Sequence, residues 1–395
     1  MADALARFAT KLAAYQRANL ARTLEVNTAA QGVKVIIDGR RLINFCSNDY
    51  LGLANHPELR AAVIDGVNRF GVGAGAAPLL SGHSTAHEML AQHLTVFLKR
   101  ERALLFSSGY LANLGVLSGL VSRQDTVFHD RLNHASLIDG VRLSGATHIR
   151  YPHAEPDVFE DRLAAIPSGD KWVVSDGVFS MDGDLAPLPV LSRIANKHGA
   201  LLICDDAHGF GVLGNGAGTV AHFGLSSQDV PVLIVTFGKA LGTVGAAVLG
   251  PAVLIETLLH TARSFIYDTA LPPALARATS IALSLIQRDS MLREKLFSNI
   301  TYFHSALRAK DLRAPPSFTP IQPFIIGDSE LTLHVSAQLR EKDLYVRAVR
   351  PPTVPPGTAR LRICLSAVHT NDHIDKLVDA LGAMRKLLPA TTRDA

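Results

Sequence analysis

Lys239 is the residue whose position in the sequence most strongly suggests chemistry. It follows the apolar run at residues 232–235, which is short, β-branched and bounded by Pro231 and Gly238. Such a run is typical of a buried strand. Burial favours the neutral amine of a lysine, and a neutral amine is a nucleophile that can bind a carbonyl carbon as a Schiff base. For this residue alone a solvated loop lysine remains the ordinary alternative, because most lysines are exposed.

Asp205 and His208 follow a second apolar run, at residues 201–204. A carboxylate at the end of a buried strand needs a cationic or hydrogen-bonding partner. The pyridine nitrogen of pyridoxal phosphate is such a partner, and an aspartate keeps it protonated so that the ring accepts electrons. His208 could reach the phenolic oxygen of the same ring. An aspartate that caps the next turn and a histidine satisfied within the core are the alternatives.

A third polar group, residues 107–110, stands between a strand-like run and a helix-like run. Backbone N–H groups at the start of a helix bind phosphate well. An ordinary helix N-cap explains the same residues, so both interpretations stay open. The hydroxyls of Ser180 and Thr236 could add contacts to a phosphate or ring oxygen.

The elements that must position these groups alternate between strand and helix. Helix-like stretches lie near 86–98, 110–121, 135–143, 155–165, 187–198 and 251–262, and strand-like runs at 103–106, 126–129, 172–175, 200–204, 232–236 and 245–249. Apolar strands between helices predict a mostly parallel sheet covered on both faces. Ligands bind such sheets at the carboxyl ends of the strands, where all the groups above would meet.

The flanking parts of the chain have a different pattern. The N-terminal part predicts an amphipathic helix over 3–24 and a hairpin of 33–37 with 42–45, turning at Asp38-Gly39. A helix over 57–70 precedes a glycine-rich loop, 71–78, which does not join a strand to a helix and so is no dinucleotide fingerprint. After Pro272-Pro273 we expect helices at 273–288, 290–308, 330–341 and from 371, with strands at 323–326, 344–349 and 360–365. The predicted division is 1–48, 49–285 as the large domain, and 286–395 as a small α+β domain.

Composition excludes several classes of protein. The chain has 395 residues, 48% of them hydrophobic and 19% charged, which is typical of a well-filled globular protein. A net charge of +4 without a Lys/Arg block argues against a nucleic-acid-binding protein. Cys46, Cys204 and Cys364 lack metal-ligand spacing and are interpreted as buried thiols in a reducing compartment. The N-terminus lacks a signal-peptide pattern and the longest apolar stretch is too short for a membrane span, so we expect a cytoplasmic protein that does not bind a membrane. We also expect no metal site.

Taken together, the motifs resemble the α-oxoamine synthase family. These are pyridoxal-phosphate enzymes with the aspartate aminotransferase fold, fold type I. The resemblance covers nearly the whole chain and rests on segments 47–53, 133–136, 179–184, 205–209, 236–239 and 350–355. It implies an α/β protein with a large domain built on a mostly parallel sheet and a smaller C-terminal α+β domain.

The resemblance also implies a role for individual residues. Lys239 would hold the cofactor covalently, Asp205 would pair with its ring nitrogen, and His134 would stack on the ring and later hydrogen-bond the acyl carbonyl. Further cofactor contacts would come from Ser180, His208 and Thr236, with Gly109 and Tyr110 near the phosphate. Arg350 would bind the amino-acid carboxylate, and Arg22 and Thr353 match positions that contact substrate or product.

Within the family, segment 350–362 favours the member that condenses L-alanine with a pimeloyl thioester in biotin biosynthesis, with loss of carbon dioxide. The acyl donor, pimeloyl-CoA or pimeloyl-acyl carrier protein, stays open. A homodimer with its site at the subunit interface is implied. The alternatives are a sister synthase that uses glycine, an aminotransferase of the same fold, and a non-catalytic scaffold.

Two departures from the family pattern affect this expectation. Family members often carry a more polar glycine- and serine-rich stretch where this chain has residues 75–78. That loop usually reaches the partner subunit's site, so its polar contacts are in doubt here. Position 176 is aspartate where the longer glutamate is expected. The carboxylate is retained, but its reach is shorter.

Overall fold

The structure, a computed structural model, describes residues 2–166 and 169–392. The chain forms two compact units: the first comprises 1–47, 181–183 and 295–395, and the second 48–180 and 184–294. The helices are α1 Ala2–Arg17, α2 Pro57–Phe70, α3 Thr85–Leu98, α4 Gly109–Leu120, α5 Ala135–Ser144, α6 Asp157–Ala164, α7 Leu188–Lys197, α8 Thr219–His222, α9 Ala252–Thr261, α10 Arg263–Ile266, α11 Pro273–Arg288, α12 Met291–Arg308, α13 Ser329–Glu341 and α14 Asn371–Ala383. The strands are β1 Lys34–Ile37, β2 Arg40–Asn44, β3 Arg102–Phe106, β4 Thr126–Asp130, β5 Thr147–Tyr151, β6 Lys171–Asp176, β7 Leu201–Asp205, β8 Val232–Thr236, β9 Ala246–Gly250, β10 Ile321–Gly327, β11 Leu344–Tyr345, β12 Ala348–Val349 and β13 Ala359–Cys364.

The second unit is built on a seven-stranded sheet with the order β3-β9-β8-β7-β6-β4-β5. The pairs from β5 through to β8 are parallel, which confirms the predicted mostly parallel sheet. Strand β9 is antiparallel to both β8 and β3. The reason is the short connection between β8 and β9, because a parallel pair needs a crossover of a dozen or more residues.

Period-two alternation decides which strand residues face helices α4 and α5. Ile203 and Ile234 lie in one core cluster with apolar residues of both helices. Side chains two positions apart in a strand share a face, so Asp205 and Thr236 point to the same helical layer as Ile203 and Ile234. The sheet thereby presents two polar groups to α4 at the ends of its central strands.

Strand β5 was not predicted from the sequence. Its residues alternate poorly and most are exposed, since it forms the edge of the sheet. A second unpredicted element is a single π-helical turn at Pro78–Gly82, directly after the glycine-rich loop.

The first unit contains two small sheets. The predicted hairpin is confirmed as β1 and β2, with Asp38 and Gly39 both at positive φ, as a tight two-residue turn requires. Strand β11 adds to β2 in parallel, whereas β12 joins the antiparallel sheet β10-β13-β12. The predicted single strand at 344–349 is therefore wrong, because its two halves pair in different sheets.

The N-terminal helix is shorter than predicted, since α1 ends at Arg17 and Asn19 has a φ of 54°. Residues 1–47 belong to the same unit as 295–395. Backbone bonds explain this grouping: Phe45 O accepts from Cys364 N at 2.8 Å, and Ile43 N donates to Asp343 O at 2.8 Å. The predicted division at 48/49 and 285/286 stays a prediction. Among the described residues, no helix combines the length and apolar character needed to cross a membrane.

Candidate active site

Polar side chains of the second unit meet where the central strands end. Asp176 is the register partner of Asp205 in β6 and β7, and Asp205 pairs in turn with Ile234 of β8, two residues before Thr236. The strand-end rule thus correctly grouped residues that are far apart in sequence. We refer to the following residues as the strand-end cluster: His134, Asp176, Asp205, His208, Thr236 and Lys239.

Lys239 is half-buried and lies beside a buried histidine. Its Nζ is 3.0 Å from His208 Nε2, and His208 Nδ1 is 2.7 Å from the hydroxyl of Tyr50. Tyr50 is fully buried. Lys239 is therefore a partly buried loop lysine and not a freely solvated one. A tyrosine, a histidine and an amine in one row can hold and share protons.

The carboxylate of Asp205 is buried and oriented by two donors. Its Oδ1 accepts from Ala207 N at 3.0 Å, and its Oδ2 accepts from Asn113 Nδ2 at 2.6 Å. Asn113 lies one helical turn after Gly109 in α4. Sequence reasoning missed this residue, although the i,i+4 spacing from the predicted phosphate-binding Gly109 was an available signal.

His134 caps α5 and is fixed at both its backbone and its ring. Its backbone N donates to Asp176 Oδ2 at 2.7 Å, so the shorter carboxylate at position 176 still reaches a partner. Its ring Nδ1 is 2.7 Å from Ser136 Oγ, while the residue as a whole remains exposed. Partial burial and the neighbouring Lys239 lower the pKa of His134, against the opposing effect of Asp205. His134 is thus exposed, yet its orientation is fixed by hydrogen bonds.

Asp176 itself is deeply buried and next to another carboxylate. Burial, and then the charge of Asp205, raise its pKa well above the ordinary value, although the bond from His134 N opposes this. Two adjacent buried carboxylates favour binding a cationic group between strand ends.

The N-terminus of α4 forms a tight cradle against β8. A Cβ built on Gly109 would clash with Cγ2 of Thr236, so only glycine fits. Ser108 caps the helix by accepting from Leu111 N at 3.2 Å, which confirms the N-cap interpretation of this serine. Thr236 Oγ1 is buried and has no hydrogen-bond partner among the described residues. An unpartnered hydroxyl beside a helix N-terminus fits a phosphate-bearing cofactor.

Tyr110 and Ser180 are predicted cofactor contacts in less buried positions. Tyr110 is exposed, its hydroxyl donates to Asp139, and its ring stands edge-on to His134 with centroids 6.5 Å apart. Ser180 is half-buried and follows Phe179, whose N donates to Asp184 O at 3.0 Å. The residues after β6 therefore form a fixed turn rather than a loose loop.

His153 anchors that turn through two carboxylates. Its Nδ1 is 3.1 Å from Asp130 Oδ1, and its Nε2 is 2.8 Å from Asp184 Oδ2. Burial alone would lower its pKa, but the bonds to both carboxylates raise the pKa of His153 to about 10. No sequence motif indicates these two ion pairs, which join residues from three separate segments.

The predicted substrate residues Arg22, Arg350 and Thr353 lie together in the first unit, and we call them the arginine cluster. Arg22 Nη2 donates to Thr353 Oγ1 at 2.9 Å. Arg350 donates to the backbone oxygens of Asn19 and Ala21, the latter at 3.3 Å. Burial, followed by the charges of Arg22 and Arg347, lowers the pKa of Arg350. Mutually repelling guanidinium groups favour an anionic ligand.

The cysteines and the loop at 75–78 can also be compared with the sequence expectations. Cys204 and Cys364 are buried free thiols, as expected, whereas Cys46 is a free thiol of intermediate exposure, so the expectation of burial is wrong for this residue. Within 2–166 and 169–392, no group of histidine, cysteine and acidic residues has the arrangement of a metal site. The loop at 75–78 leads into the π-helical turn, where Leu80 is 81% exposed.

Comparison with known proteins gives a consistent result. Residues 40–381 match the family described as aminotransferase class I and II. The chain is 52% identical to an 8-amino-7-oxononanoate synthase of Thioalkalivibrio sulfidiphilus over 374 residues, which are 94% of this chain and 95% of that protein. A serine palmitoyltransferase of S. paucimobilis, solved with a bound PLP–myriocin aldimine, superposes with a TM-score of 0.91 at 29% identity and covers 98% of both chains. An 8-amino-7-oxononanoate synthase of Francisella tularensis superposes with a TM-score of 0.77 at 32% identity, over 87% of this chain and 98% of that one.

Proposed function

We propose that this chain, which belongs to the class I and II aminotransferase family, is a pyridoxal-phosphate-dependent acyltransferase. It condenses L-alanine with a pimeloyl thioester to give 8-amino-7-oxononanoate, carbon dioxide and the free thiol carrier, in biotin biosynthesis. The observation that carries this proposal is the 52% identity, over 94% of the chain, to a synthase of that name. The predicted fold class, cofactor and enzyme class all agree with it.

The strand-end cluster suits the cofactor. When bound, pyridoxal phosphate supplies an aldehyde carbon and an electron-accepting ring. Lys239 would hold the aldehyde carbon in the resting protein, and Asp205 would pair with the ring nitrogen, since its two oxygens are already oriented by Ala207 and Asn113. The remaining proposed contacts are Gly109 and Tyr110 toward the phosphate, and His134, Ser180, His208 and Thr236 toward the cofactor.

Individual residues of this chain also have separate roles toward the substrates. Once the amine of L-alanine has taken its place on the cofactor, the freed amine of Lys239 would accept the α-proton of L-alanine as general base, and would return a proton after carbon dioxide has left. His208, 3.0 Å from that amine, keeps it in place. His134 donates a hydrogen bond to the oxygen of the thioester carbonyl as negative charge develops there.

The arginine cluster binds the anionic parts of the substrates in this proposal. Arg350 takes the carboxylate of L-alanine by a two-pronged contact, which suits a planar guanidinium. Arg22 and Thr353, joined by a bond of 2.9 Å, contact substrate or product. The acyl donor is pimeloyl-CoA or pimeloyl-acyl carrier protein.

We further propose a cytoplasmic homodimer whose site lies at the subunit interface. Large apolar side chains on α1 are more than half exposed, namely Leu5, Phe8 and Leu12, and Leu80 is exposed as well. Exposed apolar groups of this kind mark association surfaces. Light scattering should give twice the chain mass, and a fully active monomer would refute the dimer.

The test is a direct assay of the purified protein with pyridoxal phosphate. L-alanine plus pimeloyl-CoA should release free thiol and form 8-amino-7-oxononanoate, detected by mass spectrometry. Glycine run in parallel should give far less product. Preference for glycine would indicate the sister synthase, and amino-group transfer from an amino acid alone would indicate an aminotransferase. Failure to bind pyridoxal phosphate would leave only the scaffold alternative.

A further inference from the structure

A chain of hydrogen bonds connects Asp205 to His134 through Asn113, which orients Asp205, and through Ser136, which has no role assigned above. Asn113 Nδ2 donates to Asp205 Oδ2 at 2.6 Å and to Ser136 Oγ at 2.7 Å. Ser136 Oγ in turn lies 2.7 Å from His134 Nδ1. Both intermediates are almost completely buried, with 1% exposure for Asn113 and none for Ser136. The chain crosses from β7 through α4 to the start of α5.

The direction of the first link follows from the chemistry of its ends. An ionised carboxylate only accepts hydrogen bonds, so the nitrogen of Asn113, and not its oxygen, must face Asp205. The amide nitrogen has two hydrogens, and the contacts to Asp205 and Ser136 use both. Asn113 Oδ1 has no hydrogen-bond partner in the described part of the chain. The amide is therefore held by its donors alone.

The second link determines where the ring proton of His134 sits. The hydroxyl of Ser136 accepts from Asn113, so its single hydrogen is available for His134 Nδ1. The backbone N of Ser136 also donates to the same Nδ1, at 3.3 Å. A nitrogen that faces two donors cannot carry a hydrogen itself. In a neutral imidazole the proton must then lie on Nε2.

We propose that Asn113 and Ser136 are positioning residues that orient the Asp205 carboxylate and hold His134 in the tautomer with its proton on Nε2. This inference rests on the proposed function, in which His134 must donate to a carbonyl oxygen. With the proton on Nδ1, Nε2 would present a lone pair to that oxygen and repel it. The same two residues thus prepare the ring-nitrogen partner and the carbonyl donor.

The first experiment reads the tautomer without any turnover. Full-length protein labelled with ¹⁵N-histidine is examined by NMR, and His134 is identified among the sixteen histidines by the signals lost in His134→Gln. In the unmodified protein we expect proton occupancy on Nε2. Ser136→Ala removes the hydroxyl donor and should move the Nδ1 signal of His134 and populate the other tautomer.

A matched control tests whether the change in the His134 signals is specific to Ser136. Ser144→Ala removes a hydroxyl at the far end of the same helix, where its partners among the described residues are local backbone groups. It should leave the His134 signals unchanged. A proton on Nδ1 in the unmodified protein overturns the proposal. So do His134 signals in Ser136→Ala that match those of Ser144→Ala.

The second experiment tests the Asp205 end and the His134 end of the hydrogen-bond chain separately. Asn113→Leu should weaken binding of pyridoxal phosphate, measured by titration, by about tenfold to a hundredfold, as expected for a lost bond to a charged group. Ser136→Ala should lower kcat by about tenfold with cofactor affinity changed less than twofold. Unchanged cofactor affinity in folded Asn113→Leu refutes the role at Asp205. If Asn113→Leu does not fold, Ser136→Ala decides alone.

These readouts distinguish the two levels of inference. Should the purified protein lack synthase activity, the proposed function fails, while the tautomer of His134 still tests the hydrogen-bond chain. Should synthase activity be present and Ser136→Ala behave as Ser144→Ala does, the positioning role fails and the proposed function stands.

Discussion

The strand-end cluster and the arginine cluster differ in what holds their side chains in place. In the strand-end cluster, the support comes from buried side chains: Asn113 donates to Asp205 at 2.6 Å, and Asp176 accepts from His134 N at 2.7 Å. In the arginine cluster, Arg350 rests on backbone oxygens of an irregular segment, and Arg22 and Thr353 are exposed. The first arrangement is preorganised by the sheet. The second depends on loop conformation and on the ligand's own charge.

The largest expected effect comes from removing the amine of Lys239, which follows the carboxyl end of β8. Lys239→Ala should reduce turnover of L-alanine and pimeloyl-CoA by at least about a thousandfold, because it removes both the covalent anchor and the general base. Lys197→Ala, at an exposed ion pair with Glu160, is the control and should retain full activity. Normal turnover by Lys239→Ala would remove the basis of the assignment.

A second change leaves the shape of the strand-end cluster but alters its charge. Asp205→Asn should lower the rate of α-proton exchange from L-alanine into deuterated water by about a hundredfold or more, because a neutral amide no longer holds the ring nitrogen protonated. NMR of alanine follows this exchange without the acyl donor. A rate near that of the unmodified protein would exclude the proposed role of Asp205.

The arginine cluster should respond in substrate binding rather than in chemistry. Arg350→Lys replaces a two-pronged donor with a point charge, so the KM for L-alanine should rise about tenfold while kcat changes less. Arg308→Lys, in the last turn of α12, is the control. An unchanged KM would show that the arginine cluster does not bind the amino acid.

The smallest expected effect concerns stability and pH. The pKa of His153 is raised to about 10 in the folded chain, from 6.5. Its stabilising contribution is therefore full below pH 6.5 and is lost as the pH rises through 10. His153→Gln should cost about 2 kcal/mol at pH 6, measured by urea unfolding, with a smaller cost at pH 10. Exposed His260→Gln is the control, and an equal cost at both pH values would contradict the ion-pair account.

Sequence reasoning predicted the sheet and the strand-end cluster because both follow from local patterns. Apolar runs mark buried strands, and the carboxyl-end rule then gathers Asp205, Thr236 and Lys239 without knowledge of contacts. The hairpin at Asp38-Gly39 was equally local. These features need only neighbours in sequence, so one chain suffices to find them.

Features that depend on distant partners were missed. Asn113 is a polar residue in a largely apolar helix, but its role becomes evident only from Asp205 of β7, which its side chain contacts at 2.6 Å. The split of 344–349 between two sheets depends on β2 and β13, which no local pattern reveals. The roles of Arg22 and Thr353 came from family resemblance alone, because exposed loop residues carry no periodic signal.

The antiparallel strand β9 has a consequence for how Lys239 moves. Its hairpin with β8 fastens the lysine segment by three backbone bonds of 2.9 Å, from Phe237 N to Gly245 O, Thr243 N to Phe237 O and Gly242 N to Lys239 O. The peptide backbone is thus anchored while the four-carbon side chain remains long and rotatable. If Lys239 serves as both anchor and base, as proposed, its amine would change position by bond torsions within one residue, which are fast, without a slow rearrangement of a loop.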